Sequence, residues 1–137
     1  KEKVIRLKDI LLEGMSKNDI TKIVSRVYPQ VVKNLGKARK GLPKIKVSTN
    51  IYARYSGIED YPGGENEKAE FVHEENTIYL YSSALNSEED VIRSLLHEYT
   101  HAKQDPKKIK AGREKGYRNN PMEKEARRAE KNWKKYV

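Results

Sequence analysis

The stretch SEEDVIRSLLHEYTHAKQDP, residues 87–106, constrains this chain more than any other. Ser87 followed by Asp90 reads as a capping-box-like start. Glu88, Glu89 and Asp90 suit the positive end of a helix. Asp105-Pro106 closes the segment, because the residue before a proline avoids the helical region. Between these signals Val91, Ile92, Leu95, Tyr99 and Ala102 fall on one face at about 100° per residue. The spacing predicts a helix over residues 88–104 with that face buried. Two of the chain's three histidines, His97 and His101, then lie on the opposite side. They are about 40° apart and one turn, roughly 6 Å, along the axis.

Two imidazoles so placed can share one zinc ion. Glu98 lies on the flank between them and can reach a water on the metal without binding the metal itself. That is the physical content of H-E-x-x-H: two ligands and a general base on one rigid helix. A polar helix face carrying two histidines by accident is the plainer alternative. The chain has no cysteine, so a metal site here must use His, Asp or Glu.

A catalytic zinc site needs a third protein ligand and an open position. Asn120 as N-cap, Pro121 as first helical residue and Glu123 two residues later mark a final helix to about residue 136. Its apolar stripe is Met122, Ala126, Ala129 and Trp133, extended by Tyr136. Measured from the centre of that stripe, Glu125 lies about 60° away, Glu130 about 80° and Glu123 about 100°. Glu123 also has a capping role open to it. Glu125 is therefore the expected third ligand, against the alternative of a solvated helix charge. Asp105 reads as a turn residue at the helix end, or as a group orienting His101. His73, in a predicted strand near a turn, reads as exposed.

The remaining segments place these helices in an α+β chain. A short helix is expected near RLKDILLEG. A stronger one starts at Ser16, capped with Asp19, and carries Ile20, Ile23, Val24, Val27, Val31 and Leu35 at helical spacing. Pro29 lies inside it and predicts a kink or break near Tyr28. Strands are expected at 44–49, within NIYARYSG, in AEFVH and in TIYLYSS, the last two joined by a turn at 74–76. EDYPGGENEK reads as a loop, and KKIKAGREKGYRN as a basic loop. The 137 residues suit one domain: a helical part over 1–40, strands over 44–83, the zinc helix over 87–104 and the third-ligand helix over 120–136.

The net charge of +9 is unevenly spread. Residues 103–137 hold 13 Lys/Arg against 5 Asp/Glu, whereas residues 59–75 hold seven acids and one Lys. The basic region would suit a nucleic acid or an acidic partner, or is simply a solvated surface. No apolar run is long enough to span a bilayer and no leader pattern opens the sequence, so no membrane partner is expected. The expected location is inside a cell, in the host cytoplasm, or in association with a virion.

LLHEYTHAKQ, followed by Glu125 in NPMEKEA, resembles the zincin metallopeptidases of the gluzincin type. The likeness is nearest to small peptidases predicted in bacteriophages, and more distant to ImmA/IrrE and SprT-type proteases. It covers residues 87–137. It implies a zincin-like fold, a small antiparallel sheet packed on the central H-E-x-x-H helix, with helices before and after. It also implies an edge strand that binds extended substrate by backbone hydrogen bonds. TIYLYSS, with Ile78, Tyr79 and Leu80, is the matching segment. Tyr117 matches by position a residue that steadies the oxyanion.

The implied activity is hydrolysis of peptide bonds by a metalloendopeptidase with one zinc on His97, His101 and Glu125. Zinc would lower the pKa of a water to about 7. Glu98 would take its proton and pass one to the leaving amine. The alternative is a virion structural or nucleic-acid-binding protein that retains a zincin fold with little or no protease activity.

Overall fold

Ser16 begins the first described helix as its sequence predicts: its hydroxyl accepts from the Asp19 amide at 3.1 Å. Helix α1 (Lys17–Leu35) then runs unbroken through Pro29. The expected break is absent. Pro29 sits on the exposed side, while Ile20, Val27 and Val31 are buried on the other. Three such burials, about 1.5–3 kcal/mol each, outweigh the roughly 3 kcal/mol that an interior proline costs. Gly36 closes the helix with φ +87°, a conformation that favours glycine.

The computed structural model describes residues 14–50, 67–113 and 120–137. The helix expected near residues 6–14 and the strand expected in NIYARYSG therefore fall almost wholly outside the described residues. Among the described residues the fold is α+β, with four α-helices and a three-strand sheet.

The sheet consists of β1 (Lys44–Ser48), β2 (Ala69–Val72) and β3 (Thr77–Tyr81), in the order β1-β3-β2. It is mixed rather than antiparallel. β1 runs parallel to β3 with Ile45 opposite Ile78, and β2 runs antiparallel with Phe71 opposite Ile78. The β2–β3 turn is where it was expected. Asn76 takes φ 49° there, a left-handed conformation that asparagine tolerates. All five residues of β3 are buried, as a central strand covered on both faces must be. Ile78 and Leu80 join the main core, while Tyr79 and Tyr81 stack on the other face, ring centroids 6.4 Å apart.

Helix α2 (Glu88–Lys103) crosses the middle of the molecule. Ser87 Oγ accepts from the Asp90 amide at 3.1 Å, and Asp90 Oδ2 accepts from the Asn86 amide at 3.0 Å. Val91, Ile92, Leu95 and Tyr99 are completely buried. The Tyr99 hydroxyl donates to the Gly36 carbonyl, and its ring meets Tyr28 edge-on at 6.0 Å. These contacts fix α2 against α1.

The first half of the segment read as a basic loop is instead helical: α3 (Pro106–Arg113) follows α2 almost at once, and residues 114–119 lie outside the described residues. Asp105 explains why. Its carboxylate accepts from the Lys107 amide at 3.0 Å, and Pro106 occupies the first helical position. The pair Asp-Pro both ends one helix and starts the next. Helix α4 (Pro121–Glu130) follows, with Asn120 Oδ1 accepting from the Met122 amide at 2.9 Å. Gly112 backs directly onto this cap, since a Cβ there would lie 2.3 Å from Asn120 Oδ1. The final helix is shorter than expected. It gives way to a 3-10 turn (Trp133–Tyr136), whose Tyr136 is tied to α1 by Arg26 and Asn34. No helix among the described residues is long and apolar enough to cross a membrane.

Candidate metal centre

His97 and His101 project from α2 toward α4, and each meets a carboxylate of that helix through Nε2. His97 Nε2 lies 3.1 Å from Glu123 Oε2, and His101 Nε2 lies 2.9 Å from Glu123 Oε1. The rings are 4.9 Å apart at 75°. One donor atom from each of the three residues falls within 4.8 Å of the others, a group that could hold a metal ion. Glu123 Oε2 is buried without an aligned hydrogen bond. A buried carboxylate oxygen in that condition is costly unless a further partner approaches it.

The far nitrogens of both rings are also held. His97 Nδ1 lies 2.6 Å from Glu130 Oε2, and His101 Nδ1 lies 2.7 Å from Gln104 Oε1. Gln104 Nε2 donates to the Met122 carbonyl at 3.0 Å and to Glu125 Oε1 at 2.6 Å. Both of those partners are acceptors only, so the amide nitrogen must face them and the amide oxygen must face His101. Nδ1 of His101 is then the donor, and its Nε2 is the nitrogen left to bind a metal when the ring is neutral. Such outer contacts orient ligating histidines and raise their basicity.

Glu125 therefore stands one residue removed from the histidines, and Glu123 takes the place expected of it. The apolar residues alone do not mark the buried side of α4, because the side that meets α2 carries Glu123, Ala126 and Glu130. That face is rotated about 70° from the apolar stripe. Glu123 does not close a capping box either; the Asn120 cap is made to Met122.

Without metal the centre is an ion cluster. Burial alone would lower the His97 pKa, but its hydrogen bonds to Glu123 and Glu130 and the nearby Glu98 raise it to about 10. For His101, burial is likewise outweighed by Glu123, Glu98 and Gln104, and the pKa is raised. Burial works to raise Glu123, yet the two histidines hold its carboxyl well below the usual range. Glu98 is different. Burial pushes it up to about 7, although His97 and His101 act in the opposite direction.

Glu98 opens onto a cleft of about 380 Å³, shared with His97, His101, Glu123 and three residues of β2, Ala69, Glu70 and Phe71. His73, expected to be exposed, is half-buried and lines the same cleft. The expected substrate strand is elsewhere: Ile78, Tyr79 and Leu80 belong to the central strand, whose backbone is paired on both sides. No free edge remains there for a peptide. Among the described residues the sheet edge beside Glu98 is β2. Asp105 caps α3 and is not the group that orients His101. Tyr117 lies outside the described residues. Gln104 and Glu130 were not singled out from sequence as partners of the histidines. The one signal was spacing, Gln104 lying three residues beyond His101.

Comparison with protein-family models, curated proteins and solved structures returns no significant match.

Proposed function

We propose that this protein is a zinc-dependent peptidase of zincin type, with His97, His101 and Glu123 as the metal ligands and Glu98 as the general base. The observation that carries this reading is the convergence of two Nε2 atoms and one carboxylate within 4.8 Å, beside a cleft that contains Glu98. Two imidazoles and a carboxylate suit zinc and leave a fourth position open. When bound, zinc supplies a Lewis acid that acidifies a water and polarises a carbonyl.

The protein's own groups would then divide the work. Glu130 and Gln104 hold the imidazoles in place. Glu98, which opens onto the same cleft, accepts a proton at its carboxylate and later returns it to the leaving amine. An extended peptide would lie along β2 and pair with its outer edge. Incubating the zinc-loaded protein with a mixed peptide library tests this. Cleavage that stops on chelation supports it, and intact peptides at full zinc occupancy reject it.

A second reading is a nucleic-acid-binding protein with little protease activity. Lys107, Lys108 and Lys110 support it, all exposed on α3. Binding that weakens steeply with salt would favour it.

A further inference from the structure

Asn120 caps α4 with only one end of its amide. Its Oδ1 accepts from the Met122 amide at 2.9 Å. A carboxamide has one acceptor end and one donor end, so this contact fixes which is which and leaves Nδ2 as the group to be used elsewhere. The side chain is held in that pose. Asn120 is 3 % exposed, and Gly112 of α3 backs onto it. A Cβ at position 112 would lie 2.3 Å from Oδ1 and 3.0 Å from Nδ2, so the glycine makes the room that the amide occupies.

Buried as it is, Asn120 lines the cleft that contains His97, Glu98 and His101. It does so from the start of α4, three residues before Glu123, while residues of β2 line the cleft from the sheet. A peptide paired with the outer edge of β2 satisfies only part of its backbone there. In an extended chain successive residues turn their N–H and C=O groups to opposite sides, so alternate residues point away from the strand they pair with. Where the cleft displaces water, those groups need partners of their own. A carbonyl suits an amide N–H for this, since it carries no net charge to be repelled by Glu98 and Glu123.

We infer that Asn120 Nδ2 donates a hydrogen bond to a main-chain carbonyl of the bound peptide, one that faces away from β2. This rests on the hydrolytic reading and adds a substrate-binding residue to it. Helix cap and substrate grip are then the two ends of one amide. The helix that carries Glu123 also sets the register of the peptide.

The test uses the full zinc-loaded chain and separates the two ends of the amide. Asn120→Asp and Asn120→Ser keep an oxygen for the cap, where Asn, Asp and Ser serve about equally, and both remove the amide donor. Asn120→Ser also adds no charge. Both variants should keep their melting temperature, and their zinc as measured by competition against a chromogenic chelator. Their kcat/KM on a fluorogenic peptide should fall about three- to thirtyfold. Asn120→Ala, which loses the cap, should melt earlier as well. A second readout needs no turnover. Labelled peptides, each with one backbone carbonyl replaced by a thiocarbonyl, a weaker acceptor, are titrated into Glu98→Gln protein and followed by fluorescence anisotropy. One replacement should weaken binding about threefold or more, and that loss should vanish when Asn120→Ser is added. Unchanged kcat/KM in both variants overturns the inference. So does a loss of rate that tracks a loss of zinc or of melting temperature, which makes Asn120 a cap alone. Either outcome leaves the peptidase reading intact. If no peptide is cut at full zinc occupancy, the peptidase reading falls. Anisotropy then decides the role of Asn120 by itself, and peptides that all bind alike, or not at all, reject it.

Discussion

Glu125 reaches His101 only through Gln104, whose amide nitrogen donates to Glu125 Oε1 at 2.6 Å while its oxygen lies 2.7 Å from His101 Nδ1. Glu123 touches the same imidazole directly, at 2.9 Å from Nε2. Two acids a half-turn apart on α4 thus have different tasks, one proposed to bind the metal and one to orient a histidine.

The ligand assignment follows from that difference. Glu123→Ala should lose zinc under dialysis, whereas Glu125→Ala should retain it with affinity weakened about 10- to 100-fold, the usual effect of removing an outer partner. Zinc competition against a chromogenic chelator measures both. Loss of metal from Glu125→Ala with full retention in Glu123→Ala would return the ligand role to Glu125.

Glu98 is proposed to move protons rather than hold the ion. Glu98→Gln should keep its zinc and lose peptide cleavage by about 10²- to 10⁴-fold. The amide keeps the shape of the carboxyl but cannot accept the proton. Parallel loss of zinc and activity would make Glu98 structural.

The stabilising effect of zinc should grow with pH. In the metal-free protein His97 has a folded pKa of about 10 against an ordinary 6.5. Its contribution to stability is fully present below pH 6.5 and is lost as pH rises toward 10. Glu98, raised from 4.5 to about 7, acts in the same sense between those values. Glu123 is lowered, so its contribution is present above 4.5 and is lost in acid. The metal-free melting temperature should therefore decline from mildly acidic toward alkaline pH. Zinc requires neutral imidazoles and displaces these protons. Its increment in Tm should be larger at pH 8 than at pH 6, and calorimetry in buffers of different ionisation enthalpy should register proton release. An increment that shrinks with pH would contradict this.

Helix α3 should depend on its cap rather than its charges. Asp105→Ala removes the acceptor for the Lys107 amide and should cost about 0.5–2 kcal/mol. Neutralising Lys107, Lys108 and Lys110, all exposed, should change stability by about 0.5 kcal/mol or less. The same triple variant tests the nucleic-acid reading: if DNA or RNA binds through α3, its salt slope should flatten. An unchanged slope removes α3 from any such interface.

Much of this architecture was legible in single segments. Ser16, Ser87 and Asn120 announce their helices because a cap is a contact between residues two or three apart. The β2–β3 hairpin is visible for the same reason, and so is the one-turn spacing that puts His97 and His101 on one side of α2. Each of these follows from helix or strand geometry alone. The third position of the triad does not. It depends on how α4 is rotated and laid across α2, which is set by the packing of Ala126 between Glu123 and Glu130 and by the Asn120–Gly112 approach. An apolar stripe misleads there, because a site that uses polar groups must turn them inward. The place of β3 at the centre of the sheet likewise required β1 to pair with it in parallel from more than 30 residues away, a long-range choice that no local pattern encodes. Local chemistry determined the elements and two of the proposed ligands. Only tertiary packing decided which acid faces them, which residues hold their far nitrogens and which strand borders the cleft.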